Sequence, residues 1–271
     1  MSDLLELAVS AAHGAGALLA RRSGSPGRTS TKSSDVDMVT EFDIAAGVLI
    51  ARELADGDPG TPLLIEEPEV YALAGVEEAG LDAPAVWVVD PIDGTTSFIH
   101  GYPTFSVSIA RLEHGRPVLG VVFNVPLTET FAAEAGAGAT RNDVPITASD
   151  AVSIDRALVA TGFPYDRGAP LTRQLAVLGS LLRTVHGIRR DGSAAVDCCH
   201  VACGRADGFW EFGLRPWDTS AGMLIAREAG ATISALDGSP WSPGTPDVLV
   251  AAPRLHAVLL EAIRASDPGP L

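Results

Sequence analysis

In VWVVDPIDGTTSF (residues 86–98) a run of apolar strand formers ends on Asp90, and Pro91, Ile92, Asp93, Gly94, Thr95 and Thr96 follow directly. Carboxylates at the end of a rigid strand suit a hard cation such as Mg²⁺, which takes oxygen ligands in near-octahedral geometry. Pro91 fixes its own φ and offers no N–H, which holds a turn in which both acids and the Ile92 carbonyl face one point. Gly94 permits close backbone approach, and the amides and hydroxyls of Thr95 and Thr96 form an anion cradle where a helix begins. The chemistry suggested is metal-assisted hydrolysis of a phosphate ester. An isolated D-P-x-D-G also serves as an Asx turn with threonine caps. The complete DPIDGTT after an apolar strand is the more specific pattern.

Composition bounds the setting of such a site. At 271 residues the chain suits one large layered domain or two closely packed subdomains, either burying roughly three-quarters of the unfolded surface. The formal net charge of -15 argues against a nucleic-acid partner, because that binding is driven by Lys and Arg neutralising phosphates. The same charge repels a phosphorylated substrate unless bound cations invert the local field. Cys198, Cys199 and Cys203 fall within one short stretch, which is no disulfide framework; they read as small core residues in a reducing, cytoplasmic protein. No run approaches the ~20 apolar residues of a membrane span. The N-terminus carries acids before its apolar stretch and arginines after it, the reverse of a secretory signal.

The elements that must position the carboxylates follow from periodicity. Leu4, Leu5, Ala8, Ala11, Ala12, Leu18 and Leu19 share one face of a helix capped by Ser2. Polar residues 23–35 separate it from a second helix over about 43–54. A short apolar segment, LLIEE (63–67), precedes the strand that ends at Asp90. Residues 104–133 alternate with period two around a turn at His114 and Gly115, an antiparallel meander. Gly- and Asn-rich residues 135–150 mark a boundary between subdomains of about 1–145 and 146–271. Strands and helices then alternate: strands near 157–161, 187–190, 209–211, 231–234 and 248–252, and helices near 171–183, 193–203 and 219–229, with a last one from about Leu255. Sheets in both halves, each faced by helices, predict a layered α+β architecture. G-x-x-x-x-G-K-[ST], H-E-x-x-H and a well-placed G-x-G-x-x-G are all missing from the sequence, and its six histidines show no metal-ligand spacing among themselves.

Four blocks together resemble the inositol monophosphatase family of metal-dependent, lithium-sensitive phosphatases. They are Lys32 with SSDVDMVTEFD (33–43), LLIEEPEV (63–70), DPIDGTTSF (90–98) and GSAAVDCCHVACGRADGFWEFGLRPWDTSAG (192–222). The resemblance implies a single phosphatase domain over 1–271, with the α-β-α-β-α sandwich of the inositol monophosphatase and fructose-1,6-bisphosphatase type, and a homodimer. It further implies two or three Mg²⁺ per site, held by Glu67, Asp90, the Ile92 carbonyl, Asp93 and Asp218. Thr95, supported by Asp43, helps activate the attacking water, and Asp37 occupies the first block's other aspartate position. Asp93, Gly94, Thr95, Gly192, Ser193, Ala194 and Glu211 fall at substrate positions. Spacing alone does not bring Glu67, Asp90 and Asp218 together. Ile65 before the acid pair and Pro68 after it leave Glu66 as the alternative ligand; Asp218 also reads as an N-cap, and Glu211 also reads as a solvated strand end.

Phosphate monoester hydrolysis requires up to ~10²¹-fold acceleration, far beyond the roughly 10²- to 10⁴-fold of one general base. Two cations make up the difference by acidifying water and bridging the phosphoryl oxygens, so attack by water needs no phosphoenzyme. Thr96, where some relatives carry Lys, favours an inositol phosphate or similar polyol phosphate. Histidinol phosphate, fructose 1,6-bisphosphate and 3′-phosphoadenosine 5′-phosphate are the alternatives. A phosphatase-like fold acting as a regulatory or scaffolding partner is the reading of another class.

Overall fold

The computed structural model describes residues 2–25, 27–32, 38–164, 166 and 168–269. In chain order it contains α1 (Asp3–Ala20), β1 (Thr29–Thr31), β2 (Met38–Thr40), α2 (Glu41–Gly57), β3 (Leu63–Ile65), α3 (Glu69–Ala74), β4 (Ala85–Asp93) and α4 (Thr95–His100). The meander β5 (Ser106–Glu113), β6 (Arg116–Asn124) and β7 (Glu129–Glu134) follows, extended by β8 (Ala139–Arg141) and β9 (Val144–Pro145). The remainder is β10 (Leu158–Thr161), α5 (Ala169–Leu181), β11 (Gly187–Arg189), α6 (Ala194–Ala202), β12 (Gly208–Glu211), α7 (Pro216–Glu228), β13 (Thr232–Ala235), β14 (Val248–Ala251) and α8 (His256–Ser266).

Strands β3 to β9 form a seven-stranded sheet in sequence order, and β11-β10-β12-β14-β13 form a five-stranded one. Alternation along β4 shows how the layers arise. Trp87 and Val89 join a core with Leu5, Ala8 and Leu19 of α1 and Ile50 and Leu54 of α2. Val86 and Val88 join a different core with Cys198 and Val201 of α6, Leu224 of α7, and Phe209 and Val250 of the second sheet. The outer face of that second sheet packs Val159, Trp210 and Leu249 on Val177 of α5 and Leu259 of α8. The result is five layers, α-β-α-β-α. β4, apolar on both faces, is held between β3 and β5, and each large side chain it buries contributes about 1.5–3 kcal/mol.

Local signals explain several boundaries. The Ser2 hydroxyl accepts from the Leu5 N–H and caps α1, whose buried residues recur at helical spacing. α1 is the described helix with the length and apolarity of a membrane span, and its buried stripe is part of the core beneath the seven-stranded sheet. His114 and Gly115, both at positive φ, make the two-residue β5–β6 turn, the geometry that matches strand twist. Two polar stretches read as linkers carry structure: residues 29–31 pair with β2, and β8 and β9 extend the large sheet through the Gly- and Asn-rich segment. These strands are too short and too polar to show alternation.

Candidate active site

Asp90 is the last β4 residue in regular register with β5, opposite Ser108, and the register shifts before Asp93 meets Ser106. In that break Asp90 Oδ1 accepts from the Ile92 N–H at 3.0 Å. The Asx turn is therefore present, and the same carboxylate lines the cavity beyond the strand ends. Gly94 stands at φ 97°, and a Cβ there would lie 2.9 Å from the Gly192 carbonyl oxygen and 3.1 Å from that of Thr104. Glycine is required by both conformation and space.

The cavity, ≈ 540 Å³, is lined by Glu66, Asp90, Ile92, Asp93, Thr95 and Asp218 together with Phe163, Arg190, Glu211 and Arg215. Asp93 Oδ2 accepts from the Ser193 hydroxyl at 2.6 Å and from the Ala195 N–H at 2.8 Å. The start of α6 thus fixes Asp93, while Ser193 also caps that helix by accepting from the Val196 N–H. Asp218, in the first turn of α7, accepts from the Arg215 N–H at 2.7 Å; capping and cavity lining coincide as the sequence allows. Thr95 Oγ1 lies 3.2 Å from Asp43 Oδ1 and 3.1 Å from the Ile92 carbonyl oxygen. Asp43 is itself held by the Thr40 N–H and hydroxyl in the capping box of α2.

Burial, reinforced by the neighbouring carboxylates, pushes Asp90 and Asp218 well above the usual carboxylate range. Burial raises Asp93 only to about 6, because its hydrogen bonds from Ser193 and Ala195 favour the charged form. Burial likewise lifts Asp43 to about 6 and Glu211 to about 8, the latter despite Arg190. No Cβ fits at Gly162, where it would sit 2.1 Å from Glu211 Oε2; the glycine makes room for that carboxyl.

The structure separates the two acids of the 66–67 pair. Glu66, not Glu67, lines the cavity with Asp90, Asp93 and Asp218. Glu67 is 3% exposed and ion-paired to Lys32, which also reaches Glu66 at 2.7 Å. The reason is strand parity. Leu64 pairs in parallel with Val88, so two residues further along each strand Glu66 and Asp90 share a face. Glu67, on the opposite parity, lies near Asp43. Thr96 is also displaced from its expected role, being exposed and outside the cavity lining. Gly192, Ser193, Ala194 and Glu211, expected at substrate positions, all line the cavity. Asp37 lies outside the described residues. Arg190, Phe163 and Asp197 are lining residues without a motif to mark them; the arginine pair at 189–190 was the visible signal.

The chain as a whole is similar to known proteins. The chain is 39% identical to the inositol-1-monophosphatase of Synechocystis sp. over 268 residues, 98% of this chain and 91% of that one. It is 38% identical to Nus factor SuhB of Escherichia coli (strain K12) over 266 residues, 97% of each. The solved structure of extragenic suppressor protein suhB from Bartonella henselae matches with a TM-score of 0.88 at 36% identity, covering 97% of this chain and 99% of that one. With a match that runs over residues 1–267, the chain belongs to the inositol monophosphatase family and is a member of a phosphatase fold family.

Proposed function

We propose that the protein hydrolyses phosphate monoesters of small polyols, myo-inositol 1-phosphate foremost, by direct attack of water with Mg²⁺ as cofactor. The observation that carries this reading is the convergence of Glu66, Asp90, Asp93 and Asp218 with the Ile92 carbonyl on one cavity. The donors are all oxygen, as Mg²⁺ demands. Among the described residues Asp90, Asp93 and Asp218 have no Lys or Arg ion-pair partner. Asp90, Asp93 and Asp218, raised first by burial and then by neighbouring carboxylates, stand with Glu66 around a site that cations of total charge near plus four would complete, which two Mg²⁺ supply. The chemistry that Mg²⁺ would supply there, held by Glu66, Asp90, the Ile92 carbonyl, Asp93 and Asp218, is charge neutralisation of the phosphoryl group and a lowered pKa of water.

The protein's own groups then have distinct tasks. The Thr95 hydroxyl donates to Asp43, which leaves its lone pairs to accept a hydrogen bond from water and orient that water for in-line attack. Asp43, at about 6, is ionised at neutral pH and accepts that hydrogen bond. Asp93, clamped by Ser193 and the Ala195 amide, is positioned before the substrate arrives. Glu211, at about 8, retains a proton near neutrality and can both donate to and accept from a polyol hydroxyl. Arg190, over Phe163 at 5.7 Å, balances Glu211 on the substrate side. The cavity volume is in the range for a small-molecule site.

The test is phosphate release from myo-inositol 1-phosphate, histidinol phosphate, fructose 1,6-bisphosphate and 3′-phosphoadenosine 5′-phosphate, with Mg²⁺ and with chelator. Mg²⁺-dependent preference for the inositol ester is expected, and turnover that survives chelation sinks the mechanism. A relative named as a Nus factor at 38% identity supports a second reading, a protein-partner role on the same fold. Asp93→Asn separates the two: loss of cellular function in a folded variant supports the enzyme, and retained function supports the partner role.

A further inference from the structure

At the edge of the site described above three side chains without a part in the proposed hydrolysis converge, one of them, Asp197, reaching the cavity wall. Asp191, in the segment leading to α6, and Asp197 and His200 on α6 place one ligand atom each within 4.8 Å of one another. Asp197 and His200 are three residues apart and so share a helix face. Asp191 Oδ2 stands 3.8 Å from His200 Nδ1, with the two side chains 25% and 17% exposed. At the bottom of this cluster Asp197 is 1% exposed, and its Oδ1 is buried with no hydrogen-bond partner. A buried, unpartnered carboxylate oxygen on a residue that stands within reach of two further donors asks for a cation or a proton.

We propose that Asp191, Asp197 and His200 form a second cation site, for a divalent transition ion such as Zn²⁺, separate from the hydrolytic carboxylates. Two carboxylates and an imidazole match the mixed N/O donors of Zn²⁺ and not the all-oxygen preference of Mg²⁺. Donors around tetrahedral zinc stand about 3.3–3.5 Å apart, from metal–ligand distances near 2.0–2.1 Å. The Asp191–His200 separation is close to that, so side-chain rotation completes the set, and solvent access past Asp191 and His200 leaves a fourth position for water. Burial also lowers the imidazole's proton affinity, which keeps its nitrogen available. The neighbouring cation Arg205 is engaged by Glu129 through two hydrogen bonds and does not compete for the carboxylates.

Such an ion ties the 191–193 segment to α6. That segment supplies Ser193 to Asp93 and the Gly192 carbonyl packed against Gly94. The site is therefore structural toward the hydrolytic centre and meets its cavity at Asp197.

The test is titration of the full-length protein with Zn²⁺ in excess Mg²⁺, followed by calorimetry and by ¹⁵N resonances of the histidine rings. The first zinc equivalent is expected to move the His200 ring resonance. His200→Gln is expected to weaken that binding at least tenfold while leaving Mg²⁺-supported turnover of myo-inositol 1-phosphate, or of whichever ester is hydrolysed, unchanged. Asp191→Asn, in a partly exposed segment, provides a second variant with the same expected loss of affinity. An unmoved His200 resonance while zinc binds, or equal zinc affinity in wild type and both variants, overturns the proposal. The ring resonance reports on the ion even if the protein hydrolyses no ester in the panel.

Discussion

Gly94→Ala isolates the geometry on which the site depends. The substitution has two separable penalties. At φ 97° an L-residue is held outside its favoured regions, worth about 1–2 kcal/mol. The new Cβ also meets backbone atoms on two sides, the Gly192 oxygen at 2.9 Å and the Thr104 oxygen at 3.1 Å. Neither is the end of a flexible side chain, so relief requires main-chain movement, adding about 1–3 kcal/mol by analogy with overpacked cores. Gly60 provides the control: its φ is 91° and nothing lies within 4 Å of the added Cβ. Gly60→Ala should show the conformational penalty alone.

By calorimetry, at about 2–4 °C per kcal/mol for a chain near this size, Gly94→Ala should melt roughly 4–20 °C below wild type, and Gly60→Ala roughly 2–8 °C below. The functional effect is larger in proportion. Moving Gly94 away from Gly192 pulls Asp93 from Ser193 and the Ala195 amide, and a displacement of ~1 Å near reacting groups can lower the rate about 10²-fold. Turnover by Gly60→Ala should equal wild type. If Gly94→Ala is no less stable than Gly60→Ala and retains wild-type turnover, the contact between Gly94 and Gly192 does not hold the site and the reasoning fails.

Glu66→Gln should lower kcat/KM at least ~10²-fold and weaken the response to Mg²⁺, since it removes a cavity carboxylate. Glu67→Gln, whose partner Lys32 keeps Glu66 at 2.7 Å, should lower stability by about 1–2 kcal/mol and leave kcat within about tenfold. The opposite ranking in steady-state kinetics returns the ligand role to Glu67. Thr95→Ala and Asp43→Asn should each reduce kcat by about 10²- to 10⁴-fold, and the double variant should be little worse than either. Additive losses would show that the hydroxyl and carboxylate do not act as a unit. In chelator, melting temperature should fall as pH rises from about 4 to 8. Asp93, Asp43 and Glu211 have folded values of about 6, 6 and 8, above the ordinary values of 3.8, 3.8 and 4.5. The folded chain therefore retains protons that the unfolded chain has released, and stability present below about 4 is lost as pH passes the folded values. Glu211→Gln should flatten the upper part of that profile between about pH 6 and 8, and an unchanged slope there refutes the assignment.

How much of this was legible in the sequence depends on whether a feature is local. The order of the main strands and helices could be read because alternation and helical spacing act over a few residues, and the His114–Gly115 turn because its conformation is demanded by two residues. The choice between Glu66 and Glu67 could not. LLI in 63–65 is apolar at every position, so its own pattern has no parity; the register of β3 against β4 supplies it, by setting Leu64 beside Val88. Once that pairing is known, Glu66 follows as the neighbour of Asp90. The converse problem arises at Asp93. In an uninterrupted strand, residues 90 and 93 would point to opposite faces, since side chains alternate with period two. Two acids at that spacing can share a cavity only if the strand breaks between them. Here the break is the register shift between Asp90 and Asp93, where Pro91 cannot donate to the ladder and the Ile92 N–H turns back to Asp90 Oδ1. The proline and the first carboxylate thus do more than accompany the motif: they rotate its second carboxylate onto the face where Glu66 and Asp218 wait.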